Sequence, residues 1–220
     1  VTLGTNVAVR LVMLGPPGAG KGTQAARFAR THGLPKISTG DILRDAVQAG
    51  TEMGRAAREV MDAGRLVGDD IMIAIVRERL ERPDTDAGFV LDGFPRTVAQ
   101  AMALDGLVDD KAPLVIVDIE VPMEVLVKRL QTRRICGSCG VGAPPGATTC
   151  PKCGGGLVQR VDDNDIVVRE RLQVYERSTQ PIVDFYGRRN TFRSIDGDQT
   201  EDSVAADLAA AVASALGAHR

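Results

Sequence analysis

The sequence predicts an α/β fold, a parallel sheet flanked by helices, carrying one small insertion of a different kind. Three observations lead there. Short apolar runs rich in β-branched residues alternate with stretches of helical periodicity, the pattern that builds a parallel sheet through right-handed crossovers. The first apolar run ends directly in a glycine loop and then a helix. Residues 133–160, RRICGSCGVGAPPGATTCPKCGGGLVQR, break the alternation with seven glycines, three prolines and four large aliphatics. That is too little apolar surface for burial alone to hold the segment, so it needs a staple.

Each element follows from its own pattern. Residues 7–14 (VAVRLVML) read as a strand buried on both faces. A helix is predicted over 21–31. Further strands fall at 36–38, 88–92 (GFVLD), 113–120 (PLVIVDIE) and 191–196 (TFRSID). Between them the periodicity predicts helices at 41–49, 52–63, 69–81, 97–108 and 123–134, and one long helix after Asp163. An Ala-rich stretch, EDSVAADLAAAVASAL, closes the fold as a last helix.

Bulk properties exclude several classes of function. At 220 residues with 44% hydrophobic side chains the chain can bury a proper core. A formal charge of −2 argues against coating nucleic acid or anionic membrane. No apolar run approaches the roughly 20 residues of a membrane span, and no secretory pattern opens the sequence. The expected location is the cytoplasm, where clustered thiols suggest a metal before a disulfide. Five Phe, two Tyr and no Trp offer few platforms for base stacking. Two histidines give no basis for a Ser-His-Asp or Cys-His arrangement.

The stretch GPPGAGKGT, residues 15–23, approximates G-x-x-x-x-G-K-[ST], with Gly22 where the hydroxyl residue would stand and Thr23 after it. Its glycines let backbone N–H groups curl round phosphate oxygens, the next helix offers its positive N-terminus, and Lys21 can reach β- and γ-phosphates. A nucleoside triphosphate is the expected ligand. In FVLDGFPR, Asp92 ends an apolar strand and suits Mg²⁺ held through its water shell; the duller reading is a cap for a helix starting near Pro95. An acceptor that is itself a phosphate needs no general base, only cations to hold two repelling anions together. Arg44, Arg96, Arg129, Arg133, Arg160 and Arg171 are the candidates, with Arg129 and Arg133 on one face of a predicted helix.

Taken together, GPPGAGKGTQ, STGDILR, AGRLVGDD, DGFPRTVAQ, the RR before the insertion and QRVDDN with R-x-R after it resemble the adenylate kinases, over nearly the whole chain. The cysteine-bearing flap is similar to that of the zinc-containing bacterial form. The resemblance implies a P-loop kinase fold with a five-stranded parallel core (1–37, 68–132 and 164–220), a helical monophosphate-binding unit (38–67) and a zinc-stapled LID (133–163). It implies reversible, Mg²⁺-dependent transfer from ATP to AMP giving two ADP, in adenine nucleotide homeostasis, by a monomer.

Carried across position by position, the resemblance gives Gly18, Ala19, Gly20, Lys21, Gly22 and Thr23 to the ATP phosphates, with Arg129, Arg133 and Gln199 also on the ATP side. It gives the AMP pocket to Thr39, Arg44, Arg65, Leu66, Val67, Gly93, Phe94, Pro95, Arg96 and Gln100, the last reading the adenine edge. Arg133, Arg160 and Arg171 would clamp phosphates as the flap closes, Arg160 and Arg171 reaching AMP, and with Lys21 and Arg96 they form the catalytic set. Thr39 in STGD, where relatives acting on UMP or CMP carry Ala, favours AMP. The flap is shorter than in zinc relatives, so contacts from Val141–Ala143 to the ATP base or ribose are not carried over.

Cys136, Cys139, Cys150 and Cys153 stand as two CxxCG knuckles ten residues apart. Four soft thiolates suit tetrahedral Zn²⁺, with iron the alternative occupant, and leave no open position for catalysis. The glycine after each pair is expected to free an N–H for a ligand sulfur. Two other functions stay open from sequence: a kinase with a different monophosphate or with GTP as donor, and a zinc-ribbon nucleic-acid binder using its phosphate loop as a switch. Four basic residues and no acid between Arg133 and Arg160 give the last idea its footing.

Overall fold

A computed structural model describes residues 8–108, 112–144 and 146–218. Five parallel strands form the central sheet: β1 (Val9–Leu14), β2 (Lys36–Ser38), β3 (Gly88–Asp92), β4 (Leu114–Glu120) and β7 (Phe192–Asp196), in the order β2-β3-β1-β4-β7. The five expected strands are all present. Val7, expected in the first, lies outside the described residues.

β1 sits at the centre and is apolar on both faces, as are its neighbours β3 and β4. Val9, Leu11 and Met13 point into one core, while Val12 and Leu14 point into the other. The period-2 alternation of a strand thus feeds two layers at once. On the first face lie α1 (Lys21–His32), α6 (Met123–Thr132), α7 (Asp165–Val174) and α9 (Glu201–Gly217), contributing Phe28, Leu126, Leu172 and Leu208. On the second lie α2 (Thr39–Gln48), α3 (Glu52–Asp62), α4 (Asp69–Leu80), α5 (Val98–Leu107) and α8 (Gln180–Tyr186), contributing Leu43, Ala57, Val76, Leu104 and Ile182. Truncating a fully buried Leu such as Leu104 to Ala costs about 2–5 kcal/mol in such a core.

Three expectations change in detail. The helix expected from 41 begins at Thr39, directly after β2, because Ser38 Oγ accepts the Asp41 N–H and caps it. The helix expected over 123–134 ends at Thr132. Arg133 turns extended (φ −60°, ψ 132°) as the chain enters β5 (Ile135–Cys136), which pairs antiparallel with β6 (Leu157–Val158). Arg129 and Arg133 therefore do not share a helical face. The long helix after Asp163 is interrupted by a π turn, Tyr175–Thr179, before α8. Pro181 explains the break: it lacks the N–H that would bond Arg177 O, and its ring crowds that carbonyl. The wider turn absorbs both problems, and Thr179 Oγ1 then donates to Arg96 O at 2.9 Å.

Candidate active site

The loop between β1 and α1 rises from the carboxyl end of the central strand. Gly15 takes φ 134°, and a Cβ there would lie 2.7 Å from Ile119 O on the neighbouring β4, so only glycine fits. Gly18 and Gly20 are also left-handed, and Gly20 precedes α1 with no side chain to cap it. The first N–H groups of α1 are left for an anionic ligand. Ala19 is buried behind the loop, while Gly22 and Thr23 form the first turn of α1.

Lys21 folds back over this loop, Nζ donating to Gly15 O at 2.6 Å and Pro16 O at 2.8 Å. Burial pushes its ammonium down to about 8; Asp92 opposes the shift, and Arg96 and Arg171 reinforce it. Lys21 opens onto a cavity also lined by Thr39, Arg44, Arg65, Leu66, Val67, Gly93, Pro95, Arg96, Gln100, Arg160 and Arg171. Most of the residues the sequence assigned to the acceptor pocket are thereby brought together. Phe94 is the exception, its side chain fully buried in the second core.

The pocket's walls are held by specific bonds. Thr39, 1% exposed, donates Oγ1 to Gly93 O at 2.8 Å. A Cβ on Gly93 would press within 3.0 Å of both Thr39 Oγ1 and Arg96 Nη2. Gln100 is fixed at both ends of its amide: Oε1 accepts from Arg96 N at 2.8 Å and Nε2 donates to Asp69 Oδ1 at 2.7 Å. Asp69's other oxygen accepts from Thr97 Oγ1 at 3.0 Å. Thr97 also caps α5 by accepting the Gln100 N–H, so Asp92 does not serve as that cap.

The remaining arginines are held by acids that sequence reasoning did not single out. Asp163, with no exposed side-chain surface, accepts two bonds from Arg133 (2.7 and 2.5 Å) and one from Arg171 (2.9 Å). Asp162 takes Arg160 through two bonds of 2.9 Å and approaches Arg171 at 3.0 Å. Burial, and then neighbouring cations, lower Arg160 to about 10; burial is also the first cause of the downward shifts at Arg96 and Arg171. Crowded cations in low dielectric relax when an anion arrives, which is the electrostatic signature of a phosphate site. The sequence carried one signal for these acids: DD follows Arg160 after a single valine in QRVDDN.

Arg129 and Gln199 stand apart from the cavity. Arg129 Nη2 donates to Gly197 O at 2.9 Å, and the exposed Gln199 amide donates to Asp196 O and Asp207 Oδ2. Asp92 ends β3 beside α1, where a Cβ on Gly22 would stand 3.3 Å from its Oδ2. Glycine at this position of the motif gives the carboxylate room. A second acid near the loop, Asp118, is 4% exposed and raised to about 6 by burial and by Glu120, and its Oδ1 has no hydrogen-bond partner among the described residues.

In the β5–β6 hairpin the four cysteine sulfurs lie within 4.8 Å of one another. Cys136–Cys153 measures 3.4 Å, Cys139–Cys153 3.5 Å and Cys139–Cys150 3.6 Å. Bonds of about 2.3 Å to one tetrahedral zinc put sulfurs about 3.8 Å apart, so the donor set fits that ion, and the spacing is far from a disulfide's. Inside the knuckles Ser138 and Cys139 donate to Cys136 Sγ and Lys152 to Cys150 Sγ, and beyond the second knuckle the Gly155 backbone bonds the Cys153 sulfur. The following glycines instead bond Cys136 O and Cys150 O through Gly140 N and Gly154 N. Their left-handed φ of 68° and 73° turns the chain back, which corrects the expected donor.

A parallel sheet with a glycine loop at the end of its central strand, a lysine folded over that loop and a cavity ringed by arginines defines a P-loop phosphotransferase. The chain belongs to the adenylate kinase family, whose model, described as "Adenylate kinase", matches residues 13–191. It is 48% identical over 204 residues to an adenylate kinase of Archaeoglobus fulgidus, covering 89% of this chain and 94% of that one. An adenylate kinase of Desulfitobacterium hafniense is 49% identical over 208 residues (91% and 96%), and one of Kosmotoga olearia 44% over 208 (91% and 97%).

Proposed function

We propose that this chain catalyses reversible transfer of the γ-phosphoryl group of ATP to AMP, giving two ADP, and that it does so by positioning and charge clamping without a general base. The observation that carries this is one cavity shared by Lys21 and five arginines, Arg44, Arg65, Arg96, Arg160 and Arg171. An AMP phosphate is an anion at neutral pH and attacks without losing a proton, so the barrier lies in bringing like charges together. Lys21 meets the triphosphate at the loop, with N–H groups from Gly18 to Thr23 around it. Arg44 and Arg96 hold the monophosphate. Arg160 and Arg171 close over the transferring group, and Arg133 joins them when Asp163 releases it.

Thr39, Gly93 and Gln100, with the backbone of Arg65, Leu66 and Val67, form the adenine side of the acceptor pocket. Arg129 and Gln199 face the donor base. Asp92 would hold Mg²⁺ through water, and the ion arriving with ATP would supply neutralisation of phosphate charge. The 38–67 unit and the 133–163 flap move against the core, the flap stiffened by Zn²⁺ on its four thiolates. Reduced, unpaired cysteines support a cytoplasmic setting, and no helix among the described residues is long and apolar enough to cross a membrane. The family supports a monomer.

An acceptor panel tests the reading. Initial rates from Mg·ATP are expected to be highest with AMP and far lower with CMP, UMP or GMP. Equal rates with a pyrimidine monophosphate would remove the specificity assigned to Thr39 and Gln100.

A further inference from the structure

Lys36 opens the edge strand β2 and stands between acids of two different elements. Its Nζ lies 3.6 Å from Asp92 Oδ2 and 3.4 Å from Asp41 Oδ2. The other oxygen of Asp41 accepts from Arg44 Nη2 at 2.5 Å. Asp92, Lys36, Asp41 and Arg44 thus form an unbroken row of alternating charge. It runs from the acid beside the phosphate loop to a guanidinium that lines the acceptor cavity. The donor end abuts α1, since a Cβ on Gly22 would lie 3.3 Å from Asp92 Oδ2 and 3.9 Å from Lys36 Nζ.

We propose that Lys36 is a positioning residue that couples the two phosphate sites, tempering Asp92 toward a divalent cation and tempering Asp41's hold on Arg44. The proposal rests on the roles given above to Asp92 and Arg44. One ammonium shared by two carboxylates lowers the negative potential at each. Without it, Asp41 has Arg44 as its remaining partner in the row and draws the guanidinium away from an incoming monophosphate. Asp92, whose side chain is 13% exposed, becomes a stronger site for a cation. Removing one positive charge therefore weakens one site and strengthens the other. Loss of a packing contact would weaken both sites, whereas loss of general positive potential would weaken AMP binding whether or not Asp41 carries its charge, which an Asp41→Asn background separates. Partial exposure keeps the effect modest: Lys36 and Asp41 side chains are 25% and 52% exposed.

Two calorimetric quantities test this on the zinc-loaded chain: the Kd for AMP, and the Mg²⁺ concentration that half-saturates tightening of a non-hydrolysable ATP analogue. In Lys36→Gln the AMP Kd is expected to rise about two- to fivefold and the Mg²⁺ half-point to fall by a similar factor. Lys36→Arg restores both. In an Asp41→Asn background, where Arg44 has no carboxylate to return to, Lys36→Gln leaves AMP affinity unchanged. The coupling is overturned if Lys36→Gln matches the wild type or weakens both quantities together. Arg44→Ala and Asp92→Asn are the controls. If Arg44→Ala keeps AMP affinity, or Asp92→Asn keeps the Mg²⁺ requirement, the underlying roles are wrong and the proposal falls with them.

Discussion

Lys21 sits under two opposed pressures. Burial and nearby guanidinium groups disfavour its charge, while the carbonyls of Gly15 and Pro16 and the carboxylate of Asp92 hold it. With the ammonium lowered to about 8 in the nucleotide-free protein, the neutral amine dominates above that pH. Bound polyphosphate favours the charged form and raises the value again. ATP binding at pH 9 is therefore expected to take up close to one proton that Lys21→Met does not. At pH 6.5, where the lysine is already charged, no such uptake is expected from it. Calorimetry in buffers of different ionisation heat reads the difference; equal uptake by wild type and Lys21→Met at pH 9 would contradict it. At this scale the meeting of Gly15, Lys21, Arg44, Arg96, Arg160 and Arg171 at one cavity was legible because each belongs to a short motif with a mechanical reason. Asp162, Asp163 and Lys36 were not, since their partners lie on other elements or across a turn and the run QRVDDN alone does not say which arginine each acid holds.

At the scale of elements, the β5–β6 hairpin is the clearest case of sequence dictating structure. Two strands of two residues each cannot hold a flap by hydrogen bonds or burial. Its geometry is fixed where the thiols converge, and the backbone donors inside each knuckle favour thiolate at Cys136 and Cys150. Removing the metal with a strong chelator, or making Cys150→Ser, is expected to melt the hairpin while the sheet survives. Transfer should fall at least tenfold, with a separate low-temperature transition lost in thermal unfolding. A chelated, metal-free protein with unchanged activity would show that the thiols hold the flap unaided. The cysteine staple was readable from spacing alone. The π turn between α7 and α8 was not, because Pro181 shows only where a helix is disturbed, and the bond from Thr179 to Arg96 helps settle how.

For the whole molecule, the inner place of β1, β3 and β4 accords with their being apolar on both faces, whereas the meeting of the segment after α3 with α7 depends on the assembled fold. Gly64 marks that meeting. It adopts φ +73°, and a Cβ there would come within 2.9 Å of Arg171 Cγ and 3.0 Å of Val167 Cγ1. If the proposed motion of the 38–67 unit is right, Gly64→Ala should hinder it and raise the KM for AMP several-fold, in addition to the roughly 1–2 kcal/mol cost of a left-handed alanine. Val167→Ala in the same chain should recover part of the loss; a Gly64→Ala enzyme with wild-type KM would show that this contact is not part of closure. The most direct test of the whole account is the formation of ADP from Mg·ATP and AMP by wild type and Lys21→Ala. Two ADP per ATP consumed, with the rate reduced by at least a hundredfold in Lys21→Ala, is the predicted result. Folded, metal-loaded protein that transfers to no monophosphate, or a Lys21→Ala variant as fast as the wild type, would contradict it.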